Sequence, residues 1–114
     1  MEKHVELSCL LGYYGSMLTE RQLTLMEQHL GEDCSLAEIA EREGISRQGV
    51  RDALKRAEEQ LYELEEKLGM MKRSFRLEQG LLSLREQLKA LPLSEAEKQP
   101  LQETINELYD MIEE

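Results

Sequence analysis

Residues 35–57 read SLAEIAEREGISRQGVRDALKRA, and the punctuation of this stretch decides the fold. Ser35 followed by Glu38 has capping-box spacing: the hydroxyl accepts from the third helical N–H, and the carboxylate reaches back to the serine N–H. Leu36, Ile39 and Ala40 then share one helical face. Gly44 suits the left-handed residue that follows a helix, since it has no Cβ to clash. Ile45 plugs the core from the turn, and Ser46 caps the next helix. Ala40 lies four residues before the glycine and Val50 six after it, both apolar and both directed inward. The small alanine lets the two helices cross closely. A short helix, a turn at 44–46 and a second helix make a helix-turn-helix, a pattern in which the second helix reads the major groove.

Working outward, the second helix is long. Val50, Leu54, Ala57, Leu61, Leu64 and Leu68 step alternately by four and three, a heptad seam. A helix over 47–68 runs about 33 Å, so a small three-helix core covers only its first half. The rest of the seam predicts packing against something else. Upstream, Val5 to Leu18 reads as a first helix carrying Val5, Leu7, Leu10, Leu11, Tyr14, Met17 and Leu18, with Tyr13 and Tyr14 bracing it against the bundle. Thr19 caps a second helix with Gln22 reaching back, and Leu23, Met26 and Leu30 form its stripe before Gly31 ends it. Downstream, Gly69 interrupts, yet Met71 and Phe75 stay on the seam. A further stripe runs Leu77, Leu81, Leu84, Leu88, Leu91, and Pro92 stops it. Ser94 with Glu97 starts a last helix bearing Leu101, Ile105, Leu108 and Ile112; at Pro100 it either restarts or kinks. The expected fold class is all-α. A helix-turn-helix domain occupies 1–68 and a C-terminal helical hairpin 69–114, and the leucine seams predict a homodimer.

Composition agrees. The 114 residues are 40% hydrophobic but only 4% aromatic, so Leu and Met must fill the core. Charged residues are 33%, rich in Glu, Lys and Arg, which favours helices. A chain of this size buries roughly 60–70% of its unfolded surface, enough for one small domain with an appendage. The N-terminus has no uninterrupted apolar core of the export kind, and no run approaches membrane-spanning length, so the expected location is cytoplasmic without membrane insertion. Cys9 and Cys34 are expected as reduced thiols.

The net charge of −10 argues against a general polyanion binder, because the field of the whole chain repels phosphate. Against that background SRQGVRDALKR, residues 46–56, carries four positive charges and one negative. Arg47, Arg51 and Lys55 recur at every fourth residue on one face, away from the Val50–Leu54–Ala57 seam, with Arg56 toward a flank. Arg47 and Gln48 stand in the first turn, where a recognition helix meets base edges; Arg pairs with guanine and Gln with adenine. Lys55 and Arg56 suit phosphates, and the amides near Ser46 add an anion site. The competing reading is a solvated face, in which Lys55–Glu59 and similar pairs support the helix, or a protein-docking module.

These residues also resemble a known family. LLGYYGSMLTERQ, DCSLAEIAE, SRQGV and the later Asp52 and Lys55-Arg56 are similar to the YlxM family of small bacterial helix-turn-helix proteins, over about residues 7–68. The first half is more broadly similar to sigma-factor region 4. The resemblance implies a sigma region 4-like DNA-binding unit with contacts at Ser46, Arg47, Gln48, Asp52, Lys55 and Arg56, and Val50 structural. It also implies a regulatory or accessory role in the signal recognition particle (SRP) pathway. The alternative is a protein- or RNA-binding accessory that contacts the SRP GTPase or SRP RNA with no DNA target. Departures from the family are Gly12, Gly49 and Arg51, where an acidic residue, Ala and an aromatic are common.

Other chemistry is set aside. His29 and Cys34 are two potential ligands five residues apart, short of a closed metal site. No Walker-type glycine loop and no nucleophile–base arrangement is present. The expectation is a non-enzymatic protein without cofactor.

Overall fold

A computed structural model describes residues 1–113, which form six α-helices and, among the described residues, no strand. The helices are α1 (Lys3–Tyr14), α2 (Glu20–Met26), α3 (Leu36–Glu43), α4 (Arg47–Leu68), α5 (Met70–Lys89) and α6 (Glu95–Glu113). The fold class is all-α, as the sequence predicts. Two compact units are formed, Met1–Met71 and Lys72–Glu114.

In the first unit the core is built around α4. Val50, Leu54, Ala57 and Leu61 are buried against Leu7, Leu10 and Tyr14 of α1, Leu25 and Met26 of α2, and Ile39 and Ala40 of α3. Full burial of a Leu- or Ile-sized side chain stabilises by about 1.5–3 kcal/mol, so this seam is the main adhesive of the unit. The capping boxes at Thr19–Gln22 and Ser35–Glu38 are both formed. Gly44 adopts the left-handed conformation at φ 66°, and Ile45 packs half-buried on the core.

Several local expectations are corrected. The first helix ends at Tyr14 rather than Leu18, and Gly15–Met17 form a 3-10 turn that tightens the approach to the Thr19 cap. Val5 and Met17 are exposed. The end of the second helix widens into a π turn, Glu27–Gly31. The extra residue in that turn lets both Leu30 and Cys34 reach the core, and the Gln28 carbonyl accepts from the Cys34 N–H at 2.9 Å. The π turn also directs Gln28 Nε2 to Glu43 of α3, at 2.7 Å. Along α4, as expected of a small core, the seam is fully buried only over its first part, as far as Leu61; Leu64 is half-buried and Leu68 exposed.

The far end of α4 is held from a distance. Tyr14, completely buried in α1, donates its hydroxyl to Glu65 at 2.7 Å and accepts from the Met70 N–H at 3.0 Å. Glu65 accepts in turn from the Met71 N–H at 3.0 Å. Both N–H groups belong to the first turn of α5, which has no intrahelical partner for them. One phenol and one carboxylate therefore cap α5, across the left-handed Gly69 at φ 62°. Burial and the bond to Glu65 raise the Tyr14 pKa.

In the second unit, Leu88 of α5 and Ile105 of α6 are the buried apolar residues among those described. Lys98 is buried with its ammonium on the Lys89 carbonyl at 2.9 Å, a favourable place for a cation at a helix C-terminus. Arg85 lies over the Tyr109 ring at 5.5 Å and bonds Asn106. Ser94 and Glu97 form the expected capping pair, and α6 continues through Pro100 as one helix instead of restarting there. The leucine stripes are mostly uncovered: Phe75, Leu77, Leu84, Leu91, Leu101 and Leu108 are all exposed. Among the described residues no helix is long and apolar enough to cross a membrane.

Two outcomes follow from this packing. Tyr14→Phe leaves the Met70 N–H and Glu65 short of a partner and is expected to cost about 1–3 kcal/mol in urea unfolding, whereas Tyr13→Phe changes stability by less than about 0.5 kcal/mol. The bond to Glu6, reinforced by burial, pushes the Tyr62 phenol up to about 12. In the unfolded chain it ionises near 10. The stability this provides is complete below about pH 10 and is lost as pH rises toward 12, because there only the folded chain still holds the proton. Tyr62→Phe is expected to flatten that alkaline loss in unfolding titrations.

Candidate nucleic-acid interface

The interface starts at the turn. Ser46 has extended backbone, and its hydroxyl accepts from the Gly49 N–H at 2.9 Å, so α4 begins at Arg47 with a satisfied cap. A Cβ at Gly49 would lie 3.1 Å from the Ser46 hydroxyl oxygen. An alanine there gains about 1 kcal/mol of helix propensity but crowds the cap, which offsets part of that gain.

The cap and the seam together set the rotation of α4. At about 100° per residue, Gln48 and Asp52 lie roughly opposite the Val50–Leu54–Ala57 seam. Arg47 and Arg51 occupy one shoulder, Lys55 lies between that shoulder and the outer ridge, and Arg56 occupies the other shoulder. Ser46, Arg47, Gln48, Arg51, Asp52, Lys55 and Arg56 are all exposed. The structure thus brings all seven together at the N-terminal half of one helix, preceded by a helix-turn of standard form.

Charge pairing sharpens the picture. Residues 1–71 contain eight Lys and Arg. Lys3 pairs with Glu58 at 2.7 Å, Arg42 with Glu32 at 3.2 Å, Lys67 with Glu63 at 2.9 Å and, most loosely, Arg21 with Glu43 at 4.0 Å. Hydrogen bonds to these carboxylates raise the pKa values of Arg42 and Lys67. The remaining four cations are Arg47, Arg51, Lys55 and Arg56. Among the described residues they form no ion pair or hydrogen bond, although Asp52 and Glu59 stand at helical spacings that could supply one. The Lys55–Glu59 pair of the competing solvated-face reading is therefore not made.

A feature that the sequence did not suggest is a bond within the face itself: Gln48 Nε2 donates to Asp52 Oδ1 at 2.9 Å. Its signal was the spacing, since Gln and Asp four residues apart on a helix are natural partners. His29 and Cys34 do not assemble a centre, and no group of three metal-ligating side chains occurs among the described residues.

Comparison with known proteins agrees with this geometry. Residues 1–108 match the model of the UPF0122 family, described as "Putative helix-turn-helix protein, YlxM / p13 like". A UPF0122 protein of Clostridium botulinum is 43% identical over 89 residues, 78% of this chain and 82% of the relative. One from Desulforamulus reducens is 51% identical over 71 residues, 62% of this chain and 61% of the relative. Another, from Acetivibrio thermocellus, is 39% identical over 94 residues, 82% and 80% of the two chains. The match spans the helix-turn-helix and most of the second unit, and on it the chain belongs to the UPF0122 family of YlxM- and p13-like helix-turn-helix proteins.

Proposed function

We propose that the protein is a non-enzymatic, cytoplasmic DNA-binding regulator that places the N-terminal half of α4 in the major groove. The observation that carries this is the unpaired state of Arg47, Arg51, Lys55 and Arg56, while every other cation of the unit has a carboxylate partner. An acidic chain that leaves four cations unneutralised on one helix face presents a local anion-seeking surface within a repelling field. Arg47, in the first turn of the helix, is placed for base edges and the phosphate beside them, and Arg51, Lys55 and Arg56 for phosphates. The YlxM resemblance supplies the process, regulation linked to the SRP pathway.

The second unit serves as the dimerisation element in this reading. Leu77, Leu84, Leu101 and Leu108 are exposed on its two helices. A two-helix hairpin with so few buried residues gains by pairing with another. A homodimer doubles the number of phosphates met and predicts a two-fold related operator. The net charge of −10 favours a second reading, an accessory factor that docks on a basic protein partner such as the SRP GTPase.

Titration of duplex DNA and of SRP components over a salt series separates the two. Arg47→Ala with Arg51→Ala is expected to weaken duplex binding and to reduce the salt slope by about 1 for each phosphate no longer neutralised. Both side chains are exposed and unpaired, so stability should move by less than about 0.5 kcal/mol per site. Unchanged duplex affinity and slope, with salt-sensitive binding to the GTPase or the RNA, would establish the accessory reading instead. A monomeric mass at micromolar concentration in ultracentrifugation would end the dimer.

A further inference from the structure

The outer ridge of α4 carries an acceptor, not a cation. Asp52 is exposed at the position roughly opposite the buried seam, where a recognition helix reaches deepest into a groove. It sits amid four cations and pairs with none of them. It is bonded instead to Gln48, 2.9 Å away. A carboxylate only accepts, so the Gln48 amide must turn its NH2 toward Asp52 and its oxygen elsewhere. The pair therefore displays the Gln48 carbonyl oxygen and the remaining carboxylate lone pairs outward, flanked by Arg51 and Lys55 on one side and Arg56 on the other.

We infer that Gln48 and Asp52 act as one base-reading unit, which accepts hydrogen bonds from the exocyclic amino group of adenine or cytosine in duplex DNA. The inference rests on the groove-binding reading above and deepens it. In the major groove the only donors are adenine N6 and cytosine N4; guanine and thymine present acceptors there. The amino group belongs to the same strand in A·T and C·G pairs and to the opposite strand in T·A and G·C pairs, so its place across the groove separates adenine or cytosine from guanine or thymine on the strand that is read. A correctly placed amino group meets the pair; any other arrangement sets an acceptor against a carboxylate. Asp52 also repels the phosphates that the flanking cations attract. It thus lowers affinity for all DNA and raises discrimination at one position, a repulsive element that supplies specificity. The major groove of A-form RNA is too deep and narrow for side chains to read, which makes B-form DNA the target.

The test is selection from a duplex pool with a randomised centre, using the full chain, Asp52→Asn, Gln48→Ala and the Arg47→Ala/Arg51→Ala double variant. All four sites are exposed, and unfolding midpoints confirm the fold. The full chain is expected to enrich a site with one position at which adenine or cytosine is preferred over guanine or thymine on one strand, discriminated by about tenfold to a hundredfold, the range of a good base contact. Asp52→Asn should bind the unselected pool several-fold more tightly and lose preference at that position alone. Gln48→Ala should lose the same preference without the gain in pool affinity. If Asp52→Asn enriches the same site with the same discrimination, the pair does not read bases, although groove binding stands. Enrichment of nothing by the full chain, with pool binding still weakened in the double arginine variant, overturns the inference and leaves a phosphate-binding helix. If the double variant binds the pool as the full chain does, the groove reading fails as well.

Discussion

Burial of Val50, Leu54, Ala57 and Leu61 fixes the rotation of α4, and that rotation decides what the helix shows to solvent. Slipping the helix by one residue would carry Arg51, Lys55 and Glu58 into the places of Val50, Leu54 and Ala57. Burying three charged groups costs several kcal/mol each even before the apolar burial that would be forfeited, so competing registers are excluded. The left-handed Gly44 and the Ser46 cap fix where the helix begins, and the seam fixes its phase. With start and phase both determined, the outward placement of Gln48 and Asp52, and of the cations beside them, follows without further interactions.

The other end of α4 is secured by polar contacts. Tyr14 and Glu65 join α1, α4 and the start of α5 through three hydrogen bonds of 2.7 to 3.0 Å. Buried polar groups of this kind are costly unless all are satisfied, and here the two orphan amides of the α5 start satisfy them. The clamp explains how a 22-residue helix extends beyond the core that buries its first four turns.

The sequence made the caps, the turn and the seam legible because each is a local rule: Ser35 with Glu38, Gly44, Ser46 and the four-three stepping all read correctly. Non-local features were not legible. Nothing within a few residues of Tyr14 indicates that its hydroxyl meets Glu65, far along the chain on another helix. The π turn at Glu27–Gly31 answers to the simultaneous burial of Leu30 and Cys34, a tertiary demand that a helical repeat cannot reveal. At the candidate interface the basic face was visible in the spacing of Arg47, Arg51 and Lys55. That these groups stay unpaired, whereas Lys3, Arg21 and Arg42 find carboxylates on neighbouring elements, depends on three-dimensional neighbours. The hairpin stripes were read correctly as apolar, yet Leu77, Leu84 and Leu108 lie exposed, since one partner helix covers only one side of an amphipathic stripe.

The most direct measurement of the central claim is residue-resolved amide NMR of the intact protein during titration with a duplex pool at moderate salt. The account predicts that shift changes concentrate on residues 46–56 and fade along the rest of α4, with the α5 and α6 amides unmoved. Changes centred on α5 and α6, or none at all with the 46–56 amides silent at saturating duplex, would contradict it.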